Sequence, residues 1–84
     1  MANSAGRAMK NGHFDDSVWY IPIGRFEISV NFKDKIITNL KDGKIVDKFN
    51  YEKNYSLMDF GLYIDKVIES ENQLNEFSNG NRQE

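Results

Sequence analysis

Cysteine is absent from this chain, and histidine and proline occur once each. Without cysteine there is no disulfide framework, no thiolate zinc site, no redox pair and no sulfur nucleophile. Small secreted domains commonly rely on disulfides, so their absence tilts the expectation towards a reducing interior, and the expected location is cytoplasmic. The stretch Met1–Asp16 lacks the apolar centre of a signal peptide, and no run approaches membrane-spanning length. His13 is the lone histidine and lies in a polar stretch. A general base needs fixed geometry, which such a stretch does not supply. With no second histidine, a transition-metal site would rest on carboxylates alone. The adjacent acids Asp15 and Asp16 read as solvated side chains. The loop around Gly43 fails as a calcium loop, because Thr38, Leu40 and Phe49 stand where carboxylates are required. No Gly-x-Ser-x-Gly, Gly-x-Gly-x-x-Gly or Walker pattern occurs. The expectation is a non-enzymatic protein with no catalytic residue, no metal and no cofactor.

What the sequence does contain is aromatic weight. Aromatic residues make up 13% of the 84 positions and hydrophobic residues 39%. Large rings bury much surface per residue, which lets a short chain build a core. A chain of this length forms one domain at the lower end of what folds alone, and a homodimer that shares apolar surface is compatible with that size. The formal net charge is −2. It is unevenly placed: residues 1–50 carry eight Lys/Arg against six Asp/Glu, and residues 51–84 carry three against seven. A mildly basic first part is followed by an acidic second part.

Residues 1–17 are small and polar with no periodicity and read as a flexible arm, residues 18–77 as a single small α+β domain, and residues 78–84 as a disordered tail. Val18–Ile23 is β-prone, but Pro22 cannot donate to a ladder, so the segment reads as an edge strand or an extended lead-in. Phe26, Ile28, Val30 and Phe32 alternate with polar residues and define a strand with one apolar face. A second strand over residues 35–40 leads into Asp42-Gly43, a favoured pair for a type I′ hairpin turn. That turn sets Leu40 opposite Ile45 and Ile36 opposite Phe49, on one face with Thr38 and Asp47. A charged Asp47 there calls for a bulge or a solvent-rimmed position. Ser56 and Asp59 form a capping-box-like pair at a helix start. Leu57, Phe60, Ile64, Val67 and Leu74 follow helical spacing to an end near Phe77. Gly61 inside this helix costs about 1 kcal/mol relative to alanine, which close approach to the sheet would explain. The expected fold is therefore a three-stranded antiparallel meander packed against one C-terminal helix, in the order β-β-β-α, with Val18–Ile23 as an extra edge segment.

Two surfaces follow. Trp19 and Tyr20 are adjacent in an extended segment and point to opposite sides, so one joins the core while the other stays accessible. Exposed Trp or Tyr anchors protein interfaces, and strand addition beside Pro22 would extend such a contact. The expected function is a small regulatory or binding protein that occupies a partner protein's surface through Trp19 and Tyr20. The alternative is a nucleic-acid-binding module that uses the outer sheet face and hairpin turns, through Arg25, Lys33, Lys35, Lys41, Lys44 and Lys48. Interleaved acids at Glu27, Asp34, Asp42 and Asp47 dilute the attraction to phosphate.

Overall fold

The computed structural model describes the backbone of residues 4–83 and the side chains of residues 4–75. Helix α1 (Ser4–Lys10) comes first, followed by strands β1 (His13–Asp15), β2 (Val18–Ile23), β3 (Phe26–Asn31), β4 (Ile36–Lys41) and β5 (Lys44–Asn50). Helix α2 (Leu57–Gln83) closes the chain. All strand pairs are antiparallel, and the spatial order β1-β2-β3-β4-β5 repeats the order along the chain.

This corrects the expected three-stranded meander with one helix. The sheet has five strands, and a second helix precedes it. The missed elements lie in the two segments read as arm and lead-in. His13–Asp15 pairs with Val18–Tyr20 across a loop of Asp16 and Ser17, where Asp16 takes a φ of 60°. Val18–Ile23 is thus an interior strand between β1 and β3. Pro22 is tolerated there because β1 reaches only as far as Tyr20. Ile23 and Phe26 flank a two-residue loop, so Pro22–Glu27 is the next, non-hydrogen-bonded pair, and the missing N–H points to the side β1 leaves uncovered. Helix α2 continues past Phe77 to Gln83. Glu84 of the expected tail and residues 1–3 of the expected arm lie outside the described residues.

The hairpin at Asp42-Gly43 forms as its sequence dictates, with φ of 53° and 83°. Leu40 lies opposite Ile45, after which a register shift leaves Val46 as an extra residue. Phe49 consequently faces Ile37, not Ile36, and Asp47 faces Asn39. One inserted residue flips the remainder of β5 to the other face, because side chains alternate with period two. Ile37 and Asn39, opposite Val30 and Ile28, lie with Ile21 beneath α2, and the bulge brings Asp47 and Phe49 to that same face, while Ile36, Thr38 and Leu40 take the outer face.

Ile21, Ile28, Ile37 and Ile64 are the fully buried side chains at the centre of the core. Phe60, Ile64 and Val67 of α2 lie on the buried face of the sheet, and Ala5 of α1 closes one side. The helix start is fixed by reciprocal hydrogen bonds. The Asp59 backbone N–H donates to Ser56 Oγ at 3.1 Å, and the Ser56 N–H donates to Asp59 Oδ2 at 2.9 Å. Leu57, expected on the buried stripe, is 70% exposed, because the helix has not yet reached the sheet at its first residue. Gly61 meets α1 instead of the sheet: a Cβ there would lie 3.8 Å from Met9 Cε, an ordinary contact. Packing within the chain does not demand glycine at this position.

Candidate functional site

Trp19 and Tyr20 separate as alternation requires. Tyr20 faces outward and stacks on His13, with centroids 5.4 Å apart and planes at 24°. His13 thus stands on β1 with an exposed side chain. Trp19 points under the sheet, where its half-buried ring meets Phe60 at 5.7 Å and stacks with Phe14 at 5.5 Å and Phe32 at 6.4 Å. The structure does not bring the two residues together on one surface.

A cleft opens at the end of the sheet where the β3–β4 loop meets the start of α2. It measures about 160 Å³ and is walled by the rings of Trp19, Phe32, Tyr51, Tyr55 and Phe60, with Val30, Ile37 and Leu57 completing the apolar lining. The local chain explains each wall. Asn31 Oδ1 accepts the backbone N–H groups of Lys33 and Asp34 at 3.0 and 2.9 Å, turning the chain just after Phe32. The Tyr51 N–H donates to the Lys35 carbonyl at 3.0 Å, and the Tyr55 N–H to the Glu52 carbonyl at 2.9 Å. These bonds hold Tyr51 and Tyr55 5.9 Å apart, centroid to centroid. Burial, and then the negative charge of Asp59, push the Tyr55 hydroxyl pKa up, so it stays protonated. At the rim Phe14 is 66% exposed.

A polar contact lies on the other flank of α2. The Tyr63 hydroxyl donates to Asp47 Oδ2 at 2.9 Å, beside buried Asn39, whose Oδ1 has no hydrogen-bond partner among the described residues. Burial, then the hydrogen bond to Asp47 and its charge, raise the Tyr63 pKa well above the ordinary 10.0, and the Asn39 side chain opposes this in part. A raised folded-state pKa means the native state holds its proton more tightly than the unfolded chain. The associated stability is complete below about pH 10 and is lost as pH climbs through the folded value. Urea midpoints compared at about pH 8 and about pH 11 should fall more in the natural chain than in Tyr63→Phe. Equal losses in both would show that Tyr63 does not couple to folding.

The basic residues do not form one stripe. Arg25, Lys41 and Lys44 gather at one end of the sheet, where the Asp42 N–H donates to the Arg25 carbonyl at 3.0 Å. Lys33 and Lys35 sit in the β3–β4 loop at the opposite end, about 20 Å away along strands of this length. Lys48 alone stands mid-sheet on the outer face, opposite Thr38. Asp15 and Asp16 fall at the β1–β2 loop, and among the described residues no group of three or more His, Cys, Asp or Glu is placed to hold a metal. No helix among them is long and apolar enough to cross a membrane.

Sequence reasoning reached Trp19 but not the rest of the cleft. Phe14 is the only aromatic residue in the first 17 positions, and the stretch His13-Phe14-Asp15 alternates too briefly to declare a strand. Tyr51 and Tyr55 belong to a connection with no period, so their convergence is a tertiary event. Compared with protein-family models, with curated proteins and with solved structures, the chain matches none.

Proposed function

We propose that this chain is a non-enzymatic protein-binding module that occupies a partner protein's surface and takes one apolar side chain of that partner into the aromatic cleft. One observation carries the reading: a cleft of about 160 Å³ walled by five aromatic rings, with Phe14 and Leu57 exposed at 66% and 70% around it. That volume matches engineered apolar cavities of about 150 Å³ that hold a molecule of benzene, so it suits a single side chain. Rigid rings surrounding a small pocket, with an apolar rim that excludes water, form the arrangement in which interface anchors concentrate binding energy. Trp19 is the wall residue that an incoming side chain would touch; Tyr20 lies on the opposite face.

Trp19 is the only tryptophan, so its emission reports on the cleft directly. Proteins captured from a lysate by the natural chain should be lost with Phe14→Ser and with Leu57→Ser, both folded by circular dichroism. Adding the purified partner should shift Trp19 emission to the blue. A captured protein that both variants retain, and that leaves Trp19 emission unchanged, would refute the cleft as the contact.

A further inference from the structure

A second apolar surface adjoins the aromatic cleft, with Leu57 on the wall of both. Helices α1 and α2 cross at Met9 and Gly61, and a groove of about 470 Å³ runs between them, lined by Ala5, Met9, Met58, Gly61, Leu62 and Asp65. Its apolar wall is presented to solvent, with Met58 76% and Leu62 57% exposed. Absence of a side chain at Gly61 gives the groove its depth, although packing within the chain would accept a Cβ there. Methionines are adaptable side chains that mould to an incoming surface.

The charges around this groove differ in sign on its two sides. Along α2 the stripe Met58, Leu62, Asp65, Glu69 follows i, i+4, i+7, i+11 spacing, so the apolar strip runs directly into two exposed acids. On α1 the last turn carries exposed Arg7 and Lys10, and Lys10 lies one turn beyond Gly6 beside the groove. Lys66, the nearby base on α2, turns to the other flank, where it lines the cavity with Asn39, Asp47 and Tyr63. An apolar centre with a basic rim on one side and an acidic rim on the other is self-complementary. Under a two-fold rotation the basic rim of each copy meets the acidic rim of the other.

We infer that the α1–α2 groove is the interface of a symmetric homodimer, in which Met58 and Leu62 of each copy enter the groove of the other and Lys10 of each copy faces Asp65 of its partner. Leu57 lines both this groove and the aromatic cleft, whereas Phe14 and Trp19 do not line the groove, so Phe14→Ser reads the cleft without touching the dimer face. Association of this kind also helps a chain with a small core, because burial at the interface adds to burial on folding.

Sedimentation velocity of the full chain over a range of concentrations tests this. The natural chain should sediment as a reversible dimer of twice 9.8 kDa. Leu62→Glu, Lys10→Glu and Asp65→Lys should each weaken association at least roughly tenfold while keeping the circular dichroism of the natural chain. Mixing Lys10→Glu with Asp65→Lys should restore the dimer, because both cross-pairs in the mixed species again join opposite charges. A chain that stays monomeric at all concentrations would overturn the inference. So would a dimer that all three substitutions leave intact, or a mixture that associates no better than its components.

Discussion

Replacing Ile64 with alanine should lower the free energy of unfolding by about 2–5 kcal/mol. Ile64 is fully buried on α2, in one cluster with the sheet isoleucines 21, 28 and 37. Removing its outer carbons forfeits their transfer from water and leaves a cavity that rigid neighbours fill only in part. A chain of this length is expected to have a total stability on the order of 5–10 kcal/mol, so the loss is a large share of the whole. Ile45→Ala provides the contrast. Ile45 is 59% exposed on β5, and its truncation should change stability by no more than about 0.5 kcal/mol. Chemical denaturation of the two variants beside the natural chain measures both values. Similar losses at the two sites would mean that the buried and open faces of the sheet have been assigned wrongly.

Gly12→Ala should cost about 1–3 kcal/mol and shift Trp19 emission to the red. A Cβ at position 12 would lie 2.6 Å from Trp19 Nε1 and 2.7 Å from the Tyr20 carbonyl oxygen, with Ile21 Cγ1 at 3.1 Å. Two of these are too close for real Cβ contacts, and the carbonyl belongs to the backbone of β2, which cannot swing aside as a side-chain tip can. Relief requires the junction between α1 and β1 to lift off the sheet, and that uncovers the indole. Denaturant midpoint and emission maximum should therefore move together. An unchanged midpoint with unchanged emission would show that the junction does not pack against β2.

The same glycine marks the limit of what the residues reveal in order. The hairpin at Asp42-Gly43, the alternation of Phe26, Ile28 and Val30, and the Ser56–Asp59 cap are local, and each was legible because its cause lies within a few positions. Even the awkwardness of Asp47 pointed to a bulge, which occurs one residue earlier at Val46. Where neighbours in sequence offered two choices, pattern alone did not decide. Ile36 and Ile37 are equally apolar, and only the pairing of β4 with β3, which sets Ile37 opposite Val30, selects Ile37 for the core. Residues 4–15 have too short a pattern to announce a helix and a strand, because what orders them is contact with β2 and α2. For the site, Trp19 stood out by type, whereas Tyr51 and Tyr55 join its cleft only when distant segments close, and Phe14 meets it through a hairpin whose first strand is too short to show in the pattern. Gly61 does not make the close approach to the sheet that its place inside a helix suggested: its neighbour is Met9 of α1, at a distance a Cβ would tolerate.

Strand order along the sheet repeats strand order along the chain, and that has a consequence for how the fold is reached. Every neighbouring pair is joined by a connection of only two to four residues. Loop closure of this length sacrifices little chain entropy, so the sheet can grow hairpin by hairpin without waiting for distant segments to meet. The distant meetings left over are those of α2, with β2 and with α1 across the span of the whole sheet. A search that is short for the strands and long only for the two helices places their docking last, and the groove between them is then the final surface to take shape.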